Sequence, residues 1–283
     1  MIDAICEASD VSRKTTSPGV WIAGAAAVAV AIAAGIWFAG RGKHATSELV
    51  GTAGAPPAAA SAPSAPAIQH PIEQAGAASE NGEPLPTLDA SDAAVLAALG
   101  AMAGAGLGDV LNPEHLIQRT VATIDSLPRQ KLAADAMPVK SAPGTFAARR
   151  DGGASELDPR NYARYKTYAD IANAIDAKKL VAWYVRFYPL FQEAYRQQGY
   201  PDGYFNDRLV FVIDHLLATP DLPQPPALTQ PNVMYEFADP ALEKRSAGQK
   251  LLLRSGPENE AAIKAKLREI RAALTGETLP PRT

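Results

Sequence analysis

Apolar positions along this chain fall into three regimes. From Val20 to Ala39 they are continuous, VWIAGAAAVAVAIAAGIWFA, with no charged residue between Lys14 and Arg41. From Thr46 to about Thr87 large apolar side chains nearly disappear. From Leu88 onward they return at helical intervals. Asp89 or Ser91 can cap the run AAVLAAL. Asn112 followed by Pro113 predicts an N-cap with proline at the first helical position, ahead of Leu116, Ile117, Val121, Ile124 and Leu127; Pro128 closes that helix. Asp158–Pro159 repeats the pattern before NYARYKTYADIANAI. Asp176 predicts a cap for a helix from Ala177 to about Gln198, with Gly199 as its stop. Further helices are expected from near Gly203 to Leu217, Pro240 to Arg254 and Pro257 to Leu274. Only GTFAARRDGGASELD reads as a β-hairpin, with Phe146 opening a strand and DGG turning it.

The predicted fold class is therefore mainly α. It is a compact multi-helix domain of about seven helices with one small β-hairpin, preceded by a single transmembrane helix and a disordered linker. The boundaries expected are a tail at 1–18, the span at 19–40, the linker at 41–87, the helical domain at 88–276 and a C-terminal tail at 277–283.

At ~1.5 Å per residue the twenty positions from Val20 to Ala39 match the roughly 30 Å hydrocarbon core of a bilayer. Trp21 and Trp37 stand near its ends, where indoles favour the headgroup zone. A cleaved signal peptide would have an apolar region of about 7–15 residues ending in small residues; here the run is longer and ends in bulky Trp37 and Phe38. Membrane lipid is thus one expected partner, through residues 20–39. Arg13 and Lys14 before the run balance Arg41 and Lys43 after it, so flanking charge leaves orientation tied. The short tail and the absence of lysine or arginine from His44 to Gln118 favour an outward bulk. In a bacterium this places the domain in the periplasm, anchored to the inner membrane. Cys6 is the single cysteine and lies in the tail, so the domain from Leu88 onward has no disulfide or thiolate metal site.

The linker is alanine, proline and serine, a composition too poor in large apolar groups to offset the entropy of ordering. From Leu88 onward the chain carries 23 acidic and 23 basic residues. That balance lacks the one-sided charge of a nucleic-acid binder. The densest feature is aromatic: eight of nine tyrosines fall between Tyr162 and Tyr204, with Trp183, Phe187, Phe191 and Phe205 among them. Leu180, Tyr184, Phe187, Tyr188, Phe191 and Tyr195 form one helical stripe, implying a helix central to the core, kinked at Pro189. Buried tyrosine hydroxyls need partners, so Tyr184, Tyr188, Tyr195 and Tyr204 are candidates for an aromatic-lined groove binding a peptide, glycan or envelope protein, with Arg208 and His215 as its polar candidates. The alternative is that they are simply core.

The stretches RTVATIDSLPR, LDPRNYARY, LVAWYVRFYPLFQEAYRQQGYPDGYFNDRLVFVIDHLLATP and ALEKRSAGQKLLLRSGPENEAAIKAKLREIR resemble the bacterial domain-of-unknown-function family numbered 3014, over about residues 85–275. The resemblance also implies one N-terminal span and a low-complexity linker. It implies no activity, cofactor or site residue.

Among polar residues, Asp207 and Asp214 stand two helical turns apart on one face, about 10 Å along the axis, with Arg208 and His215 on the neighbouring stripe. Paired carboxylates at ~5–9.5 Å flank the scissile bond in glycoside hydrolases, so a cell-envelope glycan hydrolase is one reading. The other makes Arg208 and the aspartates ties between helices, with His215 at a core edge. No metal site is expected: His115 and His215 are isolated and no HExxH is present. No cofactor motif occurs, because GAMAGAGLGD and RSGPENE are not phosphate loops and no GxSxG elbow exists. Gly256–Pro257 beside Arg254 is instead a helix–helix turn or an anion site at a helix N-terminus. The expected function is a tethered binding module more than an enzyme.

Overall fold

The computed structural model describes residues 67–72, 84–103, 106–132, 136–151 and 154–277. The expected span at 19–40, its preceding tail and most of the linker lie outside the described residues. Among those described, no helix is long and apolar enough to cross a membrane.

After a 3₁₀ turn at Leu88–Ala90 come α1 (Asp92–Ala103), the single turn α2 (Leu107–Val110) and α3 (Leu116–Ser126). Two strands follow, β1 (Ala148–Asp151) and β2 (Ala154–Leu157), then α4 (Arg160–Ala174), α5 (Ala177–Gln197) and α6 (Phe205–Leu217). Strands β3 (Ala227–Thr229) and β4 (Glu236–Phe237) precede α7 (Pro240–Glu243), α8 (Ala247–Ser255) and α9 (Pro257–Thr275). Seven of these helices are nine residues or longer among the described residues, as the periodicity predicts.

The strands form one antiparallel sheet in the order β1-β2-β3-β4, with Arg149 opposite Glu156 and Leu228 opposite Phe237. The expected hairpin is its first half, although β1 starts at Ala148 and not Phe146. The second half comes from the proline-rich loop after α6, where no alternation of apolar residues signals a strand. Leu157, Leu228, Phe237 and Leu253 make a small core between this sheet and α8. Arg254 lies over the Phe237 ring at 5.0 Å and donates to the Tyr235 carbonyl.

Two helix starts differ from the local reading. Asn112 does not cap α3; its amide donates to the Met137 carbonyl. The helix opens at Leu116, and Asp92 of α1 accepts the N–H groups of His115 at 2.7 Å and Leu116 at 2.8 Å. A carboxylate from another helix thus satisfies the orphan donors and complements the dipole. The single helix expected from Pro240 to Arg254 is broken at Lys244–Ser246, because the Ser246 hydroxyl caps a new helix by accepting from the Gln249 N–H. By contrast Asp176 caps α5 as expected, accepting from Lys179 N. Pro189 sits on the exposed side of α5, and the helix continues through it.

The main core centres on α5 and α9. Trp183, Tyr184, Phe187, Tyr188, Phe191 and Tyr195 of α5 are all buried. Their rings meet Phe205 in a chain of edge-on and stacked contacts, such as Phe191–Phe205 at 5.9 Å. Helix α9 packs against α4, α5, α6 and α8. It buries Ile263, Leu267 and Ile270 together with Glu260, Lys264, Lys266 and Arg271. Such charges are costly to bury unpaired, and each has a partner. Lys264 Nζ donates to the Thr219 carbonyl just beyond α6 and to Asp221, each at 2.7 Å, and lies 2.6 Å from Glu260 Oε1. Lys266 donates to the Ile175 carbonyl at the end of α4. Arg271 makes a two-pronged contact with Asp214. Burial pushes the Glu260 carboxyl up, and the Lys264 ammonium opposes the shift. At the α8–α9 junction Gly256 has φ +91, and a Cβ there would stand 2.4 Å from the Tyr162 ring.

Replacing Lys264 with Met should cost about 3–5 kcal/mol, because it strands a buried carboxylate. The double variant Lys264→Met/Glu260→Leu should recover much of that loss. Urea unfolding of the two variants and the parent measures both.

Candidate peptide-docking site

The N-terminal end of α6 is held against α5 by one buried glutamine. Gln192 donates to the Gly203 carbonyl at 2.7 Å, and its Oε1 accepts from the Phe205 N–H and from the Tyr188 hydroxyl. Gly203 lies against the Tyr195 ring, where a Cβ would be 2.7 Å from a ring carbon. This clasp presents Tyr204, Asn206 and Asp207 in a row where the helix begins.

Residues 67–72, Ala-Ile-Gln-His-Pro-Ile, cross that row. The successive N–H groups of Gln69 and His70 converge on the two oxygens of the Asp207 carboxylate at 3.0 and 2.7 Å. The Asn206 amide donates to the His70 carbonyl at 2.8 Å, and the Ile72 N–H donates to the Tyr204 hydroxyl at 2.7 Å. Pro71 has no N–H. Every backbone donor from residue 69 to residue 72 is therefore received by a side chain of this helix end. The Ile72 side chain packs against the main core, while Ile68 is exposed.

The aromatic candidates divide between interior and surface. Tyr184, Tyr188 and Tyr195 are core residues. Tyr204 is half-buried, its ring 5.5 Å from that of Tyr188, and it carries the hydroxyl that the strap reaches. Burial pushes the Tyr184 and Tyr188 phenols up, with Tyr204 and Asp207 adding to the effect. Tyr195 stacks on Tyr200 at 4.6 Å, and the Tyr200 hydroxyl donates to Asp125.

The polar candidates do not assemble around one opening. Asp207 faces the strap, whereas Asp214 is engaged by Arg271. Arg208 pairs with Asp125 of α3 at 2.9 Å, donates to its carbonyl at 2.7 Å and covers Phe211. Arg129 bonds the same carboxylate. His215 Nε2 is 2.8 Å from the Ser246 hydroxyl that caps α8, and the His215 carbonyl accepts from Gln249. Asp214 and Arg208 are ties between helices, and His215 sits where α6 ends against α8. An open groove of about 400 Å³ lies elsewhere, between α4 and α9, lined by Tyr162, Lys166, Asp170 and Asn259 among others. Among the described residues no three His, Cys, Asp or Glu side chains come together as a metal set.

Sequence reasoning missed Asn206, Gln192, Asp125 and the strap. The strap had a signal, since Ile68 and Ile72 are large aliphatic residues inside an otherwise alanine- and proline-rich stretch.

The described residues thus define a mainly helical domain with a four-stranded sheet, a buried aromatic cluster and a strap across one helix end. The chain belongs to the family described as "Protein of unknown function (DUF3014)", whose model matches residues 116–271, from the first residue of α3 into α9. No curated protein and no solved structure matches it.

Desolvation, with Arg208 and Arg245 nearby, holds the His215 imidazole below its usual value near 6.5. The folded state therefore favours neutral His215, and the unfolded chain binds the extra proton first. This contribution to stability is complete above pH ~6.5 and declines as pH falls through the lower folded value. The melting temperature should fall on acidification from pH 7.5 to 5.5, and His215→Gln should flatten that slope.

Proposed function

We propose that this chain is a single-pass, membrane-anchored bacterial envelope protein whose helical domain is a tethered interaction module, docking a peptide segment at the start of α6. The anchor reading rests on the uninterrupted apolar run Val20–Ala39 with its terminal tryptophans. The outward placement rests on the long stretch after it that lacks lysine and arginine.

One observation carries the binding reading: Asp207, Tyr204 and Asn206 together take up the backbone of residues 69–72. Backbone-directed contacts accept many side chains, while Tyr204, the buried rings behind it and the core surface against which Ile72 packs set which segment fits. Carboxylate acceptance of N–H groups is charge-assisted and so stronger than a neutral hydrogen bond.

Two measurements test this. A reporter fused after Thr283 that is active on only one side of the membrane should respond on the outer side; a cytoplasmic response removes the envelope assignment. For binding, residues 67–72 of the full chain are replaced by glycine and serine. A fluorescein-labelled peptide of residues 66–73 should then bind saturably by anisotropy. Asp207→Asn in that background should weaken it at least about tenfold, the loss expected for charge-assisted hydrogen bonds of about 1.5–3 kcal/mol.

A further inference from the structure

We infer that residues 67–72 are a built-in stand-in ligand: the segment occupies the docking site in cis, and a partner segment of the same chemistry must displace it. The inference rests on the docking reading above and adds what the partner looks like and how access to it is controlled.

The strap has the chemistry of a ligand more than of a structural turn. It lies more than 130 positions before the residues that hold it, and its contacts run to one helix end. Its pattern is specific. Two successive amides meet a carboxylate, the next residue is a proline without an amide, and the fourth supplies an amide and an aliphatic side chain. Proline also restricts the residue before it, lowering the entropy lost on docking. A partner would carry this order: two free amides, proline, then a branched aliphatic residue.

The stand-in leaves polar groups unused. Asn206 is fully buried, and its Oδ1 finds no hydrogen-bond donor among the described residues although its Nδ2 holds the strap. The Tyr184 hydroxyl, buried beside Tyr188 and Tyr204, is likewise without a partner. Buried polar atoms in native proteins are nearly always bonded. A partner that brings one more donor to Asn206 would therefore bind better than the strap does.

The strap is joined to the domain, described again from Pro84 onward, by the eleven residues 73–83. A covalently attached occupant competes at an effective concentration on the order of millimolar, so a free segment of equal intrinsic affinity is held off unless it is abundant or better matched. Displacement has a second consequence. The chain between the apolar run and the domain lengthens from residues 41–66 to residues 41–87, so occupancy of the site and reach of the tether are coupled.

The experiment compares the full chain with two opened versions, the glycine–serine replacement of 67–72 and the single substitution Ile72→Asp, each checked for an intact fold by circular dichroism. The probe is the labelled peptide of residues 66–73. It should bind the opened chains at least about tenfold more tightly than the unaltered chain. In the unaltered chain, saturating peptide should speed hydrogen exchange at the amides of Gln69, His70 and Ile72. Equal affinity for opened and unaltered chains overturns the stand-in assignment and leaves the docking site in place. Failure to bind the folded, opened chains overturns both. A strap exchanged between two copies, seen as a dimer by light scattering that the replacement abolishes, overturns the intramolecular assignment.

Discussion

The arrangement of helices depends on how α9 buries its cations. Lys264 reaches the Thr219 carbonyl just beyond α6, Lys266 reaches the Ile175 carbonyl that ends α4, and Arg271 grips Asp214 in the last turns of α6. A carbonyl at a helix C-terminus lacks a partner within the helix, and a positive charge there is favoured by the helix dipole. A desolvated ammonium and an orphaned carbonyl thus solve each other's problem. The geometry is demanding, so each contact sets where one helix stops against α9. Hydrophobic contact from Ile263, Leu267 and Ile270 supplies attraction without direction; the cations supply register.

That register decides what the other end of α6 can do. The C-terminal end of the helix is held by α9 and by Ser246 beside His215, and its first turn meets the strap. There the Gln192 clasp and the aromatic layer of α5 give it a rigid backing. Aromatic rings are large and lose few rotamers on burial, so Tyr188, Tyr195 and Phe205 make a firm floor beneath Tyr204 and Asp207. The tyrosines matter at the edge of this layer, where the Tyr204 hydroxyl reaches the strap and the Tyr188 hydroxyl reaches Gln192. Deeper in, the Tyr184 hydroxyl is buried without a partner among the described residues.

A carboxylate pair spaced two turns apart on a helix invites a catalytic reading, and the surroundings of Asp207 and Asp214 give each a separate task. One receives backbone amides and the other neutralises a buried guanidinium. Spacing along a helix defines a face, yet the chemistry of each residue on it follows from whichever element covers that part of the face. Here two different segments cover it.

What the chain determined locally was legible: six of the seven longer helices, the Asp176 cap, the turn at Gly199 and the hairpin β1–β2 all follow from neighbours within a few positions. The aromatic stripe on α5 marked a central helix, and it is one. The long-range choices were not legible. Asp92 caps α3 from another helix, Ser246 breaks an otherwise helical run because its hydroxyl is held in place by His215, and β3 and β4 form only because β2 offers them an edge. Docking of Ile68–Ile72 onto α6 is of the same kind. Periodicity and capping preferences report the energy of a segment with its own neighbours. Which carbonyl, carboxylate or hydroxyl is left needing a partner, and which distant residue arrives to meet it, is settled only when the helices pack.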